Sequence, residues 1–201
     1  LLMTDSFIVF TKIKKIHEER NVTDLSYFHV SYVKRKAKNL KEDILLAKSF
    51  FHAQKIYGAE SYIHGFSGYS LECLIIHFGS FEKMLKELVK VKIGERLVID
   101  IEKAYKKKNS VFIEMNSARL YSPIILVDPT YKERNALAAL SEETFETFQR
   151  VARQFLKNPS NNYFIEKDSD YFFVLTGAIP IHILIVGMGY VRQSVAISFF
   201  L

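Results

Sequence analysis

Glycine turns and two helical patterns alternate in residues 57–88, YGAESYIHGFSGYSLECLIIHFGSFEKMLKEL. Gly58, Gly65 and Gly68 predict a turn-rich entry, because glycine alone reaches positive φ at little steric cost. The apolar residues that follow have the i, i+3, i+4, i+7 spacing of one helix face; they are Leu71, Leu74, Ile75 and Phe78. The glycine spacing alone favours an architectural turn over a binding loop, and both readings stay open here.

Gly79 and Ser80 predict the junction between this helix and a second one. Glycine favours the left-handed conformation that ends a helix, and serine caps the N terminus of the next. The second helix carries Phe81, Leu85 and Leu88 on its apolar face. Cys73, the single cysteine, is predicted to be a small buried residue of the first helix.

Two further helices are predicted on either side of this block. Asn39 and Glu42 have the spacing of a capping box, and the apolar stripe that follows is Leu40, Ile44, Ala47 and Phe51. Lys48 lies beside that stripe, where its aliphatic stem can be buried while its ammonium reaches a cleft. Ser141 begins the other helix, which ends at Asn158-Pro159.

Short β-rich runs occupy the region between these helices. The predicted strands are Arg96–Ile101, Val111–Met115 and Ile124–Val127, with a lysine-rich turn at Lys103–Lys108. Asp128-Pro129 ends the third strand, because proline cannot continue a ladder of hydrogen bonds. Phe7–Ile13 is predicted to be a strand and Val22–Ser31 a loop. The fold class is therefore α+β, with helices packed against a small antiparallel sheet.

Composition sets broad limits on the function. A chain of 201 residues with 49% hydrophobic and 25% charged residues fits one sizeable core or two small domains. The net charge of +6 permits an anionic partner. A single cysteine excludes a disulfide framework and a cysteine zinc cluster, and suits a cytoplasmic protein. The apolar stretch Phe172–Val191 is long enough for a membrane span, but its glycines and Pro180 favour strands and turns instead.

Common catalytic motifs are not recognised in the chain. Gly65-Phe66-Ser67-Gly68 is not a G-x-S-x-G nucleophile elbow, and no glycine-rich phosphate loop or His-x-x-x-His metal pair occurs. The basic run KRKAKNLK at Lys34–Lys41 fits either a solvated connector or a phosphate-contacting surface.

Five segments together resemble the archaeal-type (class I) CCA-adding enzyme, a tRNA nucleotidyltransferase. They are TDLSYFHVSYV (23–33), LLAKSFFHAQKIYGAE (45–60), GFSGYSLECLIIHFGSFEKML (65–85), VDPTYKERNALAALS (127–141) and FQRVARQFLKNPS (148–160). The resemblance implies a poly(A) polymerase-like central domain, the neck, that closes over an incoming nucleotide. It also implies that His29, Lys48, Tyr57 and Arg134 hold the triphosphate and sugar of ATP or CTP.

The resemblance divides the chain into three parts. Residues 1–28 correspond to the end of the catalytic head and a connector, residues 29–158 to the neck, and residues 159–201 to the start of a divergent body and tail. The partners implied are tRNA, ATP and CTP, without a membrane; a homodimer is allowed. The cofactor implied is Mg2+, held in the family by carboxylates of the head. Ungapped matching places Ser6 at the third of those carboxylates, so Asp5, one position away, is the candidate catalytic and metal-binding residue.

The remainder of the head is not found in these 201 residues. We therefore expect a fragment, or a split or degenerate gene product, that does not polymerise alone. The alternative is a non-catalytic RNA- or nucleotide-binding remnant that acts with a separate head subunit. A third reading, a basic α+β interaction domain without a nucleotide site, is disfavoured because all four neck residues are retained.

The nucleotide-site hypothesis makes a geometric prediction. Lys48, Tyr57 and Arg134, although far apart in the sequence, should open onto one concave face of the domain. Their positions in a structure check this, and Arg134 on the side opposite Tyr57 would contradict it.

Overall fold

The structure, a computed structural model, describes residues 25–92 and 94–166. The helices are α1 (Ser26–Lys36), α2 (Lys41–Ala53), α3 (Gly68–Phe78), α4 (Phe81–Leu88), α5 (Lys108–Glu114) and α6 (Glu142–Lys157). The strands are β1 (Leu97–Asp100), β2 (Ile124–Asp128) and β3 (Tyr131–Asn135). Short 3-10 helices span Ser117–Arg119 and Asn161–Phe164. The predicted α+β class is confirmed.

The predicted junction between α3 and α4 is confirmed. Gly79 adopts the left-handed conformation with φ of 80°, and its N–H donates to the carbonyl of Ile75. The hydroxyl of Ser80 accepts the N–H of Lys83 and so caps α4. Ser141 caps α6 in the same way by accepting the N–H of Thr144. These ends are set by local hydrogen bonds, which is why the sequence predicts them.

The sheet is mixed rather than antiparallel, which corrects one detail of the prediction. β1 pairs in parallel with β2, and β2 pairs antiparallel with β3. The segment expected to be the middle strand, Val111–Met115, instead forms the second half of α5 and the residue after that helix. The structure buries Val111 and Met115 and leaves Phe112 and Ile113 exposed. In a strand, Ile113 would share the buried face of Val111 and Met115, so its exposure fits a helix, and tertiary packing overrides the β-propensity of the run.

The prediction of a loop at Val22–Ser31 is wrong for the described part of that range, because α1 begins at Ser26. Tertiary packing of Tyr32, which is 3% exposed, stabilises a helix whose aromatic and β-branched residues have modest helical propensity. The predicted cap of α2 is also wrong: its N-cap is Leu40, without a side-chain hydrogen bond. Asp43 of the first turn of α2 instead accepts the N–H of Phe81, tying α2 to α4.

Strand β2 separates two apolar clusters. Ile124 and Leu126 pack into the main core, which contains residues of α1–α4 and α6 and includes the buried rings of Phe50, Phe51, Phe66 and Phe148. Ile125 and Val127 pack into a smaller cluster with Val111 of α5. Successive side chains of a strand point to opposite faces, so β2 is buried on both. The sheet is therefore a layer between α5 and the larger helical layer.

The loop between α2 and α3 closes on itself through its backbone. Tyr57 and Phe66 form an isolated bridge, in which Phe66 donates to the carbonyl of Ile56 at 3.0 Å and Gly58 donates to that of Phe66 at 2.8 Å. Gly65 lies at this closure, and a Cβ added to it would be 2.2 Å from the carbonyl oxygen of Ile56. The close approach of two backbone segments explains why a glycine stands there.

Several predicted features lie outside the described residues: Asp5, the strand Phe7–Ile13 and the apolar stretch Phe172–Val191. Among the described residues, no helix has both the length and the apolar character needed to cross a membrane.

Substitution of Gly79 and of Gly65 should distinguish the conformational cost of a side chain at a left-handed position from the steric cost of a side chain at a close backbone contact. Gly79→Ala places no new atom within 4 Å of a neighbour, so we expect only the left-handed backbone penalty of about 1–2 kcal/mol. Gly65→Ala forces apart the Tyr57–Phe66 bridge and should lower the free energy of unfolding by more than that. Urea denaturation of both variants measures the difference. Equal losses would mean that the closed loop contributes little to stability.

Candidate functional site

Asp128, at the end of β2, is the centre of a buried polar cluster. It shares the strand face of Ile124 and Leu126, so alternation directs it toward the helical layer. Its side chain is fully buried, and a buried charge is tolerated only when it is well paired. Its partners come from α1, α3, β3 and the turn after β2.

The two carboxylate oxygens of Asp128 have different partners. Oδ1 accepts hydrogen bonds from the hydroxyl of Tyr69 at 2.9 Å and from the N–H and hydroxyl of Thr130, each at 2.8 Å. Oδ2 lies 2.8 Å from Nη1 of Arg134 and 3.1 Å from Nε2 of His29. The ring of His29 also stacks on that of Tyr69, with centroids 3.9 Å apart. One oxygen is thus held by the framework, and the other holds two of the predicted ligands.

The electrostatics keep this carboxyl ionised. Burial alone would raise the pKa of Asp128, but the hydrogen bond from His29, the charge of that ring whenever it is protonated, and two hydrogen bonds from Thr130 hold that pKa well below its usual range. Burial raises the pKa of Tyr69, so its phenol remains a hydrogen-bond donor to the carboxylate. The result is a fixed anion surrounded by donors.

Lys48 and Tyr57 form a second group beside α3. Nζ of Lys48 lies 2.6 Å from Oε1 of Glu72, and the two side chains are 27% and 21% exposed. Burial raises the pKa of the Tyr57 hydroxyl; the charge of Lys48 lowers it and that of Glu72 raises it. Unlike Asp128, this ion pair is reached by solvent, so its partners can exchange at lower cost.

The first turns of α3 join the two groups. A Cβ built on Gly68 would lie 2.6 Å from the hydroxyl oxygen of Tyr57 and 3.9 Å from Cε of Lys48. Tyr69 contacts the Asp128 cluster, and Glu72, one turn later on the same helix, holds Lys48. Ser67 caps this helix, and the positive end of its dipole favours an anion nearby.

The structure therefore brings the four predicted neck residues to one helix. His29 and Arg134 meet at Asp128, 105 residues apart in the chain, with Nη1 of Arg134 3.2 Å from Nε2 of His29. Lys48 and Tyr57 meet beside Gly68. That these residues bind a nucleotide stays a prediction, as does the role of Asp5.

Three residues of this site were not singled out from the sequence. The sequence patterns assign no role to Tyr69 or Glu72, and they mark Asp128 only as the end of a strand. The available signal for Asp128 was a carboxylate directly after the uninterrupted apolar run IILV. A charged residue that continues a strand buried on both faces must find partners inside the protein.

A cleft of about 680 Å3 lies elsewhere, lined by residues that include Phe78, Lys90, Arg96, Val98, Lys103 and Lys106. None of the four predicted nucleotide residues lines it. Its cations are Arg96 and lysines such as Lys90, which pairs with Glu87 at the exposed surface, whereas Lys48 and Arg134 beside α3 pair with carboxylates that are partly or fully buried. We therefore assign the candidate site to the first turns of α3 rather than to this cleft.

Within residues 25–92 and 94–166, no group of three or more histidine, cysteine, aspartate or glutamate side chains could hold a metal ion. The two carboxylates of the site are instead engaged with cationic or hydroxyl partners.

The family model for the tRNA nucleotidyltransferase second domain matches residues 42–165, a range that contains α2 to α6 and the sheet. The chain belongs to this family. It is similar to the CCA-adding enzyme of Nanoarchaeum equitans, with 38% identity over 77% of the chain. The CCA-adding enzymes of Methanosarcina mazei and Methanocaldococcus jannaschii are 37% and 36% identical over 72% and 68% of it. The matched region makes up 38%, 29% and 30% of these three relatives. The predicted family is confirmed.

The group around Gly68 can be tested without any ligand. Lys48→Met removes the cation that lowers the pKa of Tyr57 and leaves Glu72, so the pKa of Tyr57 should rise. Glu72→Gln removes a nearby anion, and the pKa should fall. The 13Cζ chemical shift of Tyr57, followed against pH, measures both effects. Lys106→Met, in the distant cleft, should leave this titration unchanged; an equal change there would show that the shifts reflect net charge alone.

Proposed function

We propose that this domain binds the incoming nucleoside triphosphate in a CCA-adding tRNA nucleotidyltransferase, which adds C, C and A to the tRNA 3′ end from CTP and ATP. The observation that carries the proposal is the convergence of His29, Lys48, Tyr57 and Arg134 around α3, in a chain of this family. These residues come from α1, from α2 and the loop that follows it, and from β3. Their convergence gives the set of cations and hydroxyl donors that a triphosphate requires.

Each residue has a chemical part to play. Arg134 presents a planar guanidinium that can bind phosphate oxygens in a bidentate manner, and Lys48 offers a mobile point charge. Tyr57 donates a hydrogen bond to phosphate or ribose, and His29 forms a hydrogen bond with a hydroxyl of the ribose. Because Lys48 is paired with Glu72, a bound phosphate must share or displace that carboxylate. The exposure of this pair makes the exchange feasible.

The complete activity involves more than this domain, since the chain spans about 29–38% of the length of the relatives named above. Nucleotidyl transfer by two metal ions places charge stabilisation on carboxylate-bound Mg2+. The described residues supply no such ligand set, so their proposed part is to bind and orient the nucleotide. The tRNA substrate, the cytoplasmic location and the homodimer are part of the same proposal.

ATP binding to the 201-residue chain tests the proposal. Ligands held by regular structure should give a Kd of about 0.1–1 mM. Loss of one charge-assisted contact should weaken binding by roughly ten- to a hundredfold. Lys48→Ala and Arg134→Ala are each expected to abolish detectable binding by isothermal titration calorimetry. Raised salt should weaken binding to the unsubstituted chain, because the ligand is multiply charged.

Lys106→Ala is the matched control, because it removes a cation from the cleft that does not contain the predicted ligands. Its ATP affinity should remain close to that of the unsubstituted chain. NMR chemical shifts locate the bound nucleotide independently. If ATP shifted the signals of Lys103–Lys107 and left those of Tyr57 and Arg134 unchanged, the binding would be non-specific charge attraction and the assignment would be wrong.

A further inference from the structure

The two oxygens of Asp128 divide its contacts into a fixed side and a ligand side. Oδ1 is occupied by Tyr69 and by Thr130, which lies only two residues away. These bonds anchor the carboxylate to α3 and to its own turn. Among the described residues, the polar partners of Oδ2 are the two predicted nucleotide ligands, Arg134 and His29. The carboxylate therefore fixes Arg134 and His29 relative to α3 and to the turn after β2.

The contacts of Oδ2 also select the hydrogen-bonding form of His29. Nε2 lies 3.1 Å from a carboxylate that is kept ionised and 3.2 Å from an arginine nitrogen that already donates to the same oxygen. A proton on Nε2 lets both donors share Oδ2. A bare lone pair on Nε2 would instead face the negative oxygen. The favoured form has Nε2–H directed to Asp128, which leaves Nδ1 for a ligand.

Arg134 is held at one end in the same way. Within the described part of the chain, its ion pair with Asp128 and its 3.2 Å approach to Nε2 of His29 both run through Nη1, and its guanidinium carbon lies 6.0 Å from the centre of the Tyr69 ring. The guanidinium has five N–H donors, so the group retains donors on Nη2 and Nε. Fixing one end of a planar fork reduces the conformational entropy lost when the other end binds an anion.

We propose that Asp128 is a positioning residue of the nucleotide site: it holds His29 in the Nε2–H form, so that Nδ1 can accept a hydrogen bond from a hydroxyl of the nucleotide, and it fixes one end of Arg134, whose remaining N–H groups face the nucleotide. The proposal rests on the proposed function for the identity of the ligand. The form of His29, however, can be measured without any ligand.

Asp100 offers a matched control. It ends β1 as Asp128 ends β2, in the neighbouring parallel strand, and it accepts the N–H groups of Ala104 and Tyr105 in the turn that follows. Within residues 25–92 and 94–166, its hydrogen bonds do not involve the four predicted ligands. Asp100→Asn and Asp128→Asn are therefore the same chemical change at equivalent ends of two strands. The change at Asp128 affects a carboxylate that contacts His29 and Arg134, and the change at Asp100 affects one that does not.

The experiment compares ATP binding by the full chain and its two variants. Asp128→Asn should weaken ATP binding at least tenfold, because an amide cannot accept from both Arg134 and His29 with a full negative charge. Asp100→Asn should bind within about twofold of the unsubstituted chain. Far-UV circular dichroism and amide NMR spectra establish that each variant is folded. A folded Asp128→Asn chain with unchanged affinity would overturn the proposal.

Imidazole NMR of the unliganded chain supplies the second measurement. Long-range 1H–15N spectra, assigned with His29→Gln, should show the neutral ring of His29 protonated on Nε2, and Asp128→Asn should remove this preference. A ring protonated on Nδ1 would overturn the proposal, even if Asp128→Asn does not fold. If the chain binds no ATP but His29 has the expected form, the proposed function fails while the positioning by Asp128 stands.

Discussion

The buried carboxylate of Asp128 imposes the strictest constraint on this domain. A charge taken out of water is costly unless opposite charges and hydrogen bonds replace its hydration. Here the replacements are supplied by α1, α3 and β3, through His29, Tyr69 and Arg134. Three elements distant in sequence must therefore meet at one point for the folded state to tolerate this residue. The same requirement assembles two of the candidate nucleotide ligands.

The alternation of β2 is what puts this charge on the correct side. Leu126 and Asp128 share one face, toward the helical layer, while Val127 packs against α5. A slip of one residue would exchange the faces and bury the carboxylate among apolar side chains. Asn135 opposes such a slip, because its buried amide oxygen accepts the N–H groups of Leu126 and Leu137. The side-chain amide of Asn135 thus fixes the register of β3 on β2, and this register sets the position of Arg134, the residue before Asn135.

The two carboxylates of the site have contrasting physical roles. Asp128 is fully buried and holds its partners through several hydrogen bonds, so it acts as a permanent part of the framework. Glu72 is partly exposed and pairs with Lys48 at 2.6 Å, where a multiply charged ligand can compete with it. The fixed pair, Asp128 with Arg134, keeps the geometry of the site when no ligand is bound. The exchangeable pair, Glu72 with Lys48, leaves a cation that can bind a ligand. This combination suits reversible binding of a triphosphate.

The sequence alone determined the features that depend on neighbouring residues. Gly79 and Ser80 predicted the end of α3 and the start of α4, Ser141 predicted the start of α6, and the resemblance selected the four candidate ligands. Only the tertiary structure decided that the sheet is mixed, that Val111–Met115 is largely helical and that Asp128 joins the site. Caps and apolar stripes are local, whereas the bond from His29 to Asp128 links residues 99 positions apart. Such a contact is specified by packing of the whole core, which no local pattern records.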